Sequence, residues 1–225
     1  GSKQWMHHDV LSGVDFVIWD PKKGINESSQ KIFHRPVVLD AFCSVVRVFD
    51  NERVFILGGN KEPKQNSSDT QNATTFYNIK TQKFTRGSNL NYDRWYGSIV
   101  RNSENEFIMV GGAKIIPHQV LEDSQISSIP EILTANKDGS LSWKTLEDAK
   151  SIELLGTNEN EVWSYPKFFL SSDGNPFGIS YNKLWVMDKD NNYKISKVGE
   201  IPLVTGGITE KIIHKNPNDE KDYKE

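Results

Sequence analysis

One cysteine, Cys43, is all that 225 residues contain, so no internal disulfide framework can hold the fold, and compartment is not legible from cysteine usage. No stretch approaches the ~18 consecutive apolar residues of a membrane-spanning helix, so a membrane is not an expected partner. Basic blocks are missing as well. With 27 Lys and Arg against 30 Asp and Glu the net charge is −3, which argues against a nucleic-acid partner. Long helical periodicity is lacking, with only a weak trace over residues 144–156. Histidines number 5, and no Tyr-His dipeptide occurs.

What the chain has is aromatic and β-rich. Hydrophobic residues make up 36% and aromatics 11%, including 6 Trp, 7 Tyr and 11 Phe, enough for a packed core. The length suits one or two domains. Gly1-Ser2 reads as a cloning remnant, so residues 1–4 are expected to be a linker and residues 5–209 the folded body. The acid-and-lysine tail of residues 210–225 is expected to be disordered. Sequons at Asn26, Asn66 and Asn72 would suit a secreted protein but carry little weight in a chain this rich in Asn and Ser.

An internal repeat organises the body. The lead-in Ala41-Phe42-Cys43-Ser44 enters an apolar run to Phe49, turns at Asp50-Asn51-Glu52, and returns through Val54–Leu57 to Gly58-Gly59. A loop over 60–73 is followed by runs at 74–78 and 83–85. The second copy starts at Trp95-Tyr96, turns at 103–105, returns through Phe107–Val110 to Gly111-Gly112, and continues at 131–133 and 141–143. Cys43 to Tyr96 and Gly58 to Gly111 are the same distance apart in sequence, so the single cysteine and a tyrosine hold equivalent places on adjacent repeats, which are neighbours in space. A third copy runs from Tyr165 to Val198 without the glycine pair. Upstream, Val14–Asp20 and Ile32-Phe33 read as two further short strands. Four antiparallel strands every fifty-odd residues describe an all-β fold of β-propeller blades. About four blades fit the length. An open arc would leave exposed edges, so the chain is expected to be a truncated part of a seven-bladed propeller.

On these residues the sequence resembles the N-terminal half of the glyoxal oxidase branch of the copper radical oxidases, relatives of galactose oxidase. The likeness runs from Met6-His7 through Trp19-Asp20, Phe42-Cys43-Ser44, Gly58-Gly59, Arg94-Trp95-Tyr96 and Val110-Gly111-Gly112. It continues through Tyr165-Pro166 and Asp173-Gly174 to Glu200-Ile201-Pro202. The resemblance implies a thioether between Cys43 and Tyr96 as the catalytic cofactor, with Tyr96 also a copper ligand. It implies oxidation of small aldehydes or primary alcohols by dioxygen to give hydrogen peroxide, in a secreted protein. A sulfur ortho to a phenol makes the ring easier to oxidise, and Cu(II) accepts phenolate and imidazole donors. The family draws a second tyrosine with an adjacent histidine, and a further histidine, from its other half. His7, His8, His34, His118 and His214 stand at none of those places, so this fragment is expected to be incomplete and inactive alone, with the missing half of the propeller as its partner.

Plainer readings stand beside this one. Cys43 would serve as a small buried core residue, and Tyr96 as a packed aromatic whose hydroxyl reaches a backbone group. Arg94 and Trp95 read as blade-packing residues. Trp95 adjoins Tyr96 and would shield it, but the alternation of side chains along a strand directs it elsewhere. The same alternation argues against His7-His8 sharing one metal ion. Asp138-Gly139 to Trp143 reads as an ordinary hairpin. The alternative function is a non-catalytic kelch-type propeller whose loops bind a protein or glycan.

Overall fold

The computed structural model of the chain describes residues 15–34, 40–61, 70–102, 106–116 and 120–202. Expectations placed on residues 1–14, on the turn at 103–105, on His118 and on His214 with the rest of the tail lie outside these residues. The described chain is all-β. Strands β1 (Phe16–Trp19) and β2 (Gln30–Phe33) pair as an antiparallel ribbon. Three four-stranded antiparallel sheets follow in strict sequence order. The first holds β3 (Val45–Val48), β4 (Arg53–Leu57), β5 (Thr74–Asn78) and β6 (Lys83–Arg86). The second holds β7 (Ser98–Arg101), β8 (Phe107–Val110), β9 (Glu131–Ala135) and β10 (Leu141–Thr145). The third holds β11 (Lys167–Leu170), β12 (Pro176–Ser180), β13 (Lys183–Asp188) and β14 (Lys194–Glu200). Each is a propeller-type blade, and the leading strands β3, β7 and β11 lie side by side. The weak helical trace resolves into single turns at Glu147–Ala149 and Ile152–Gly156.

The hairpins close through short acidic side chains that mimic backbone turns. Asp50 Oδ1 accepts from the N–H groups of Glu52 and Arg53 at 2.9 and 2.8 Å. Asp138 does the same for Ser140 at 2.9 Å, and Asp173 for Asn175 at 3.0 Å. These residues were legible as turn formers for that reason.

Alternation of side chains across each strand explains why the second strand of the middle blade is buried throughout. Phe107 and Met109 face the first blade and join Phe55, Leu57 and Phe76 in one core. Ile108 and Val110 face the other way and join Phe168, Trp185 and Met187 of the third blade in another. A blade is therefore a slice between two cores, and its central strands read as continuous apolar runs. On the outer side of the first blade, Tyr77 and Phe84 meet Phe33 of the ribbon at ring separations of 6.1 and 6.4 Å, and Phe84 meets Phe16 at 5.0 Å.

The glycine pairs mark the seams between blades. Gly58 and Gly111 have φ of 63° and 65°, and Gly59 and Gly112 of 90° and 92°. A Cβ on Gly58 would sit 2.2 Å from the carbonyl oxygen of Arg94, and one on Gly111 2.7 Å from that of Trp163. The next blade's lead-in presses directly on the glycine, and the contact is sealed by Gly59 N–H donating to Arg94 O and Gly112 N–H to Trp163 O, each at 2.8 Å. Only a residue without a side chain fits both the backbone and the space. At the equivalent place the third blade carries Tyr181, also left-handed at φ 56°, with its side chain 51% exposed.

Arg94 is the other fixture of the first seam. It is fully buried against Glu131, Nη2 to Oε1 at 3.0 Å, and its remaining N–H groups donate to the carbonyls of Gly111 and Ile129 at 2.6 Å each. Asn91 Nδ2 also donates to the Glu131 carboxylate at 2.8 Å. A buried pair with every donor used tolerates loss of one partner poorly, because the other is left charged in the dry interior. Glu131→Ala is expected to cost about 3–5 kcal/mol in urea denaturation. The double variant Arg94→Met/Glu131→Leu should recover most of that loss; equal destabilisation by both would show that the pair acts by packing alone.

Candidate functional site

At one end of the blades, three lead-in segments converge. Each contributes one residue in the left-handed backbone region: Cys43 at φ 59°, Tyr96 at φ 65° and Tyr165 at φ 43°. Such a conformation in a residue with a Cβ costs on the order of 1–3 kcal/mol and persists only where the surroundings fix it. The surroundings do so here in register. Tyr96 N–H donates to Cys43 O at 3.1 Å, and Tyr165 N–H donates to Tyr96 O at 2.8 Å. Cys43 itself rides on a tight turn, in which Ser44 N–H and Oγ both reach Ala41 O, at 3.1 and 2.7 Å. Buried Asp40 holds that turn by accepting from Phe42 N–H at 2.9 Å and Asn60 Nδ2 at 3.3 Å.

The structure thus brings Cys43 and Tyr96 together. Their side chains are near enough to influence each other electrostatically, and both pack on a small apolar cluster with Trp95, Ala113 and Trp163. The Trp95 ring stacks on Tyr96 with centroids 3.7 Å apart and planes 17° from parallel. Tyr165 stacks on Tyr96 at 4.5 Å and 29°. Rings so near cannot share one face of Tyr96 without overlapping, so Tyr96 is sandwiched between them. Trp95 Nε1 donates to Asn60 Oδ1 at 2.8 Å, which fixes the upper layer.

The expected direction of Trp95 is corrected by this geometry. Side-chain alternation was applied to a strand starting at Trp95, but β7 starts at Ser98, and Trp95 makes only an isolated bridge to Ala113. The left-handed Tyr96 breaks the pleat and returns its ring under that of its neighbour. Tyr165 is the residue that sequence reasoning left unassigned. The available signal was its place, since it opens the third copy as Cys43 and Tyr96 open the first two.

Burial governs the electrostatics. It pushes the Cys43 thiol from its ordinary 9.0 up to about 11, against the lowering effect of the Tyr96 hydrogen bond and with a further push from the Asp40 carboxylate. Burial likewise raises the Tyr96 phenol well above its ordinary value, reinforced by its bond to Cys43 and by the charges of Cys43 and Tyr165. The Tyr165 phenol is raised to about 12 by burial and then by Cys43. Near neutral pH the site is therefore a protonated thiol beside two protonated phenols.

A metal centre does not follow from these donors alone. Among the described residues no group of three or more His, Cys, Asp or Glu side chains could hold an ion. His34 pairs with Asp15 beside the ribbon, at 3.3 Å. An apolar cleft of about 410 Å³ lies between the ribbon and the first blade, lined by Phe16, Val17, Phe33, Tyr77 and Phe84 among others, and includes none of the site residues.

The class defined by fold and site is an all-β protein of four-stranded propeller-type blades with a thiol–phenol pair at a seam. No protein-family model matches the chain, and no curated protein does. Among solved structures it is similar to a novel fungal alcohol oxidase with catalytic diversity among the AA5 family, in complex with copper. The TM-score is 0.50 and the identity 14% over 74% of this chain. The likeness spans 32% of that oxidase chain, and at this identity it is a likeness of fold.

A thiol held neutral reacts slowly with alkylating agents, because the thiolate is the nucleophile. At pH 8 the folded chain should react with iodoacetamide roughly 100-fold more slowly than the urea-unfolded chain, with the rate climbing about tenfold per pH unit up to pH 10. A folded-state rate within about threefold of the unfolded rate would show that Cys43 is not so held. The same shift makes folding alkali-sensitive. Stability contributed by the neutral thiol is complete below pH 9.0 and is lost as the pH rises through about 11.

Proposed function

We propose that this chain is the N-terminal part of a copper radical oxidase-like propeller, in which Cys43 and Tyr96 become joined as a thioether. Its parent would oxidise small aldehydes or primary alcohols with dioxygen, giving hydrogen peroxide. The observation that carries this reading is the Cys43–Tyr96 pair, tied by Tyr96 N–H donating to Cys43 O at 3.1 Å and set by matching left-handed backbone on adjacent blades. The likeness of fold to a fungal alcohol oxidase solved with copper supports it. The wider reading is a secreted, kelch-like, seven-bladed parent of the glyoxal oxidase kind, with the remaining blades as this chain's partner.

The work assigned to these residues is to hold a thiol against one edge of a phenol and to stack that phenol between two rings. Thioether formation breaks the S–H bond of Cys43 and a ring C–H bond of Tyr96, makes one C–S bond, and releases two electrons and two protons. Sulfur conjugated with the ring then lowers the potential at which the phenol gives up an electron. Buried surroundings and a stacked lid tune such a centre, as the protein tunes any cofactor through its contacts. One phenol and one thiol are too few donors for copper, so Tyr96 as a metal ligand is proposed only with further ligands from beyond these residues.

Peptide mapping of the full-length gene product, expressed with copper in air, tests the proposal. The expected finding is a Cys43 peptide joined to a Tyr96 peptide and lighter by two hydrogens, absent in Cys43→Ser and Tyr96→Phe. A free Cys43 thiol in that folded, copper-treated protein would sink the reading. It would favour instead a kelch-type propeller that binds a protein or glycan partner.

A further inference from the structure

The two rings that sandwich Tyr96 differ in what they meet. Trp95 is only 7% exposed, whereas Tyr165 is 41% exposed. Tyr96 itself is half-buried, so Tyr165 is the most exposed ring of the stack. Its ring lies 4.5 Å from that of Tyr96, and its backbone is tied to Tyr96 O at 2.8 Å, so the pair cannot drift apart without breaking the seam. Stacked aromatic rings at this separation exchange electrons without any diffusive step. Tyr165 also has the chemistry for the task, since a phenol can give up an electron and a proton together where Phe cannot.

We infer that Tyr165 is the surface terminus of an electron path into the Cys43–Tyr96 pair, through which a soluble one-electron oxidant drives formation of the cross-link. The inference rests on the proposed pairing of Cys43 with Tyr96. The oxidant is an outer-sphere metal complex, which meets Tyr165 first as the most exposed ring of the stack. Tyr165 gives it one electron and gives its phenolic proton to water. The resulting phenoxyl radical takes an electron and a proton from Tyr96, which restores Tyr165 and leaves the radical on Tyr96. The Cys43 sulfur adds to the ring carbon ortho to the Tyr96 oxygen, and its S–H proton passes to that oxygen. A second oxidation at Tyr165 removes the remaining electron from the adduct, and the proton on that ring carbon leaves as aromaticity returns. Two equivalents of oxidant are reduced, two protons are released and one C–S bond is made.

Copper-free protein treated with hexachloroiridate(IV) provides the test, read by the rate of oxidant consumption and by peptide mass mapping. The wild-type chain should yield the joined Cys43 and Tyr96 peptides, lighter by two hydrogens, with two equivalents of oxidant spent on each link. Tyr165→Phe keeps a ring in the stack, and its unchanged urea midpoint would show the fold intact. It should join the peptides at least about tenfold more slowly. Tyr165→Trp restores an oxidisable ring and should recover the rate, which a purely structural role would not produce. A Tyr165→Phe chain that cross-links as fast as wild type overturns the path while leaving the Cys43–Tyr96 pairing intact. A wild-type chain that consumes oxidant without joining the two peptides also overturns the path, and the pairing then stands or falls by the copper-treated full-length protein.

Discussion

The seam between blades, where one chain segment lies flat on a glycine pair, is the constraint from which the other features follow. Gly58-Gly59 and Gly111-Gly112 hold the same backbone angles and receive the same partner, a carbonyl from the following blade's lead-in. That contact sets how far apart adjacent blades stand. The two cores then form on either side of β8, and three residues of successive lead-ins are brought into register. A backbone contact of this kind has little tolerance, because peptide groups at hydrogen-bonding distance leave no room for even a methyl group.

The site is a by-product of that register. Cys43, Tyr96 and Tyr165 are the residues at which each lead-in turns from the seam into its strand, and the turn forces positive φ in all three. Strain of this kind is retained when neighbours over-determine it, and here Tyr96 is anchored by the carbonyl of Cys43 and Tyr165 by that of Tyr96. The buried Arg94–Glu131 pair steadies the segment just ahead of Tyr96 by tying it to the carbonyls of Gly111 and Ile129. The outcome is a thiol and two phenols, all held protonated by burial.

The third blade departs from the pattern at one point that matters. Tyr181 occupies the place of Gly58 and Gly111 and keeps their left-handed backbone, yet it presents a half-exposed ring where the others present a bare peptide. A lead-in cannot press on Tyr181 as it presses on the glycines. The missing glycine pair, visible as a gap in the third copy of the repeat, therefore corresponds to a physical difference between seams.

Much of this was legible in the chain. Short apolar runs between turn residues located the strands, short acidic side chains located the hairpins, and equal spacing put Cys43 and Tyr96 on neighbouring blades, because these are local rules that each blade obeys by itself. The sequence alone determined the all-β class, the repeat and the pairing of those two residues. The partners of Arg94, the direction of Trp95 and the inclusion of Tyr165 were settled only by tertiary structure. Glu131 lies in a different strand from Arg94's lead-in, so nothing local links them. The ring of Trp95 depends on one left-handed residue that breaks the pleat, and a tyrosine in that conformation carries no sequence mark as a glycine would. Tyr165 joins the stack only because an insertion of irregular length folds back and lets the third lead-in land on the second, a distance set by packing and not by counting residues.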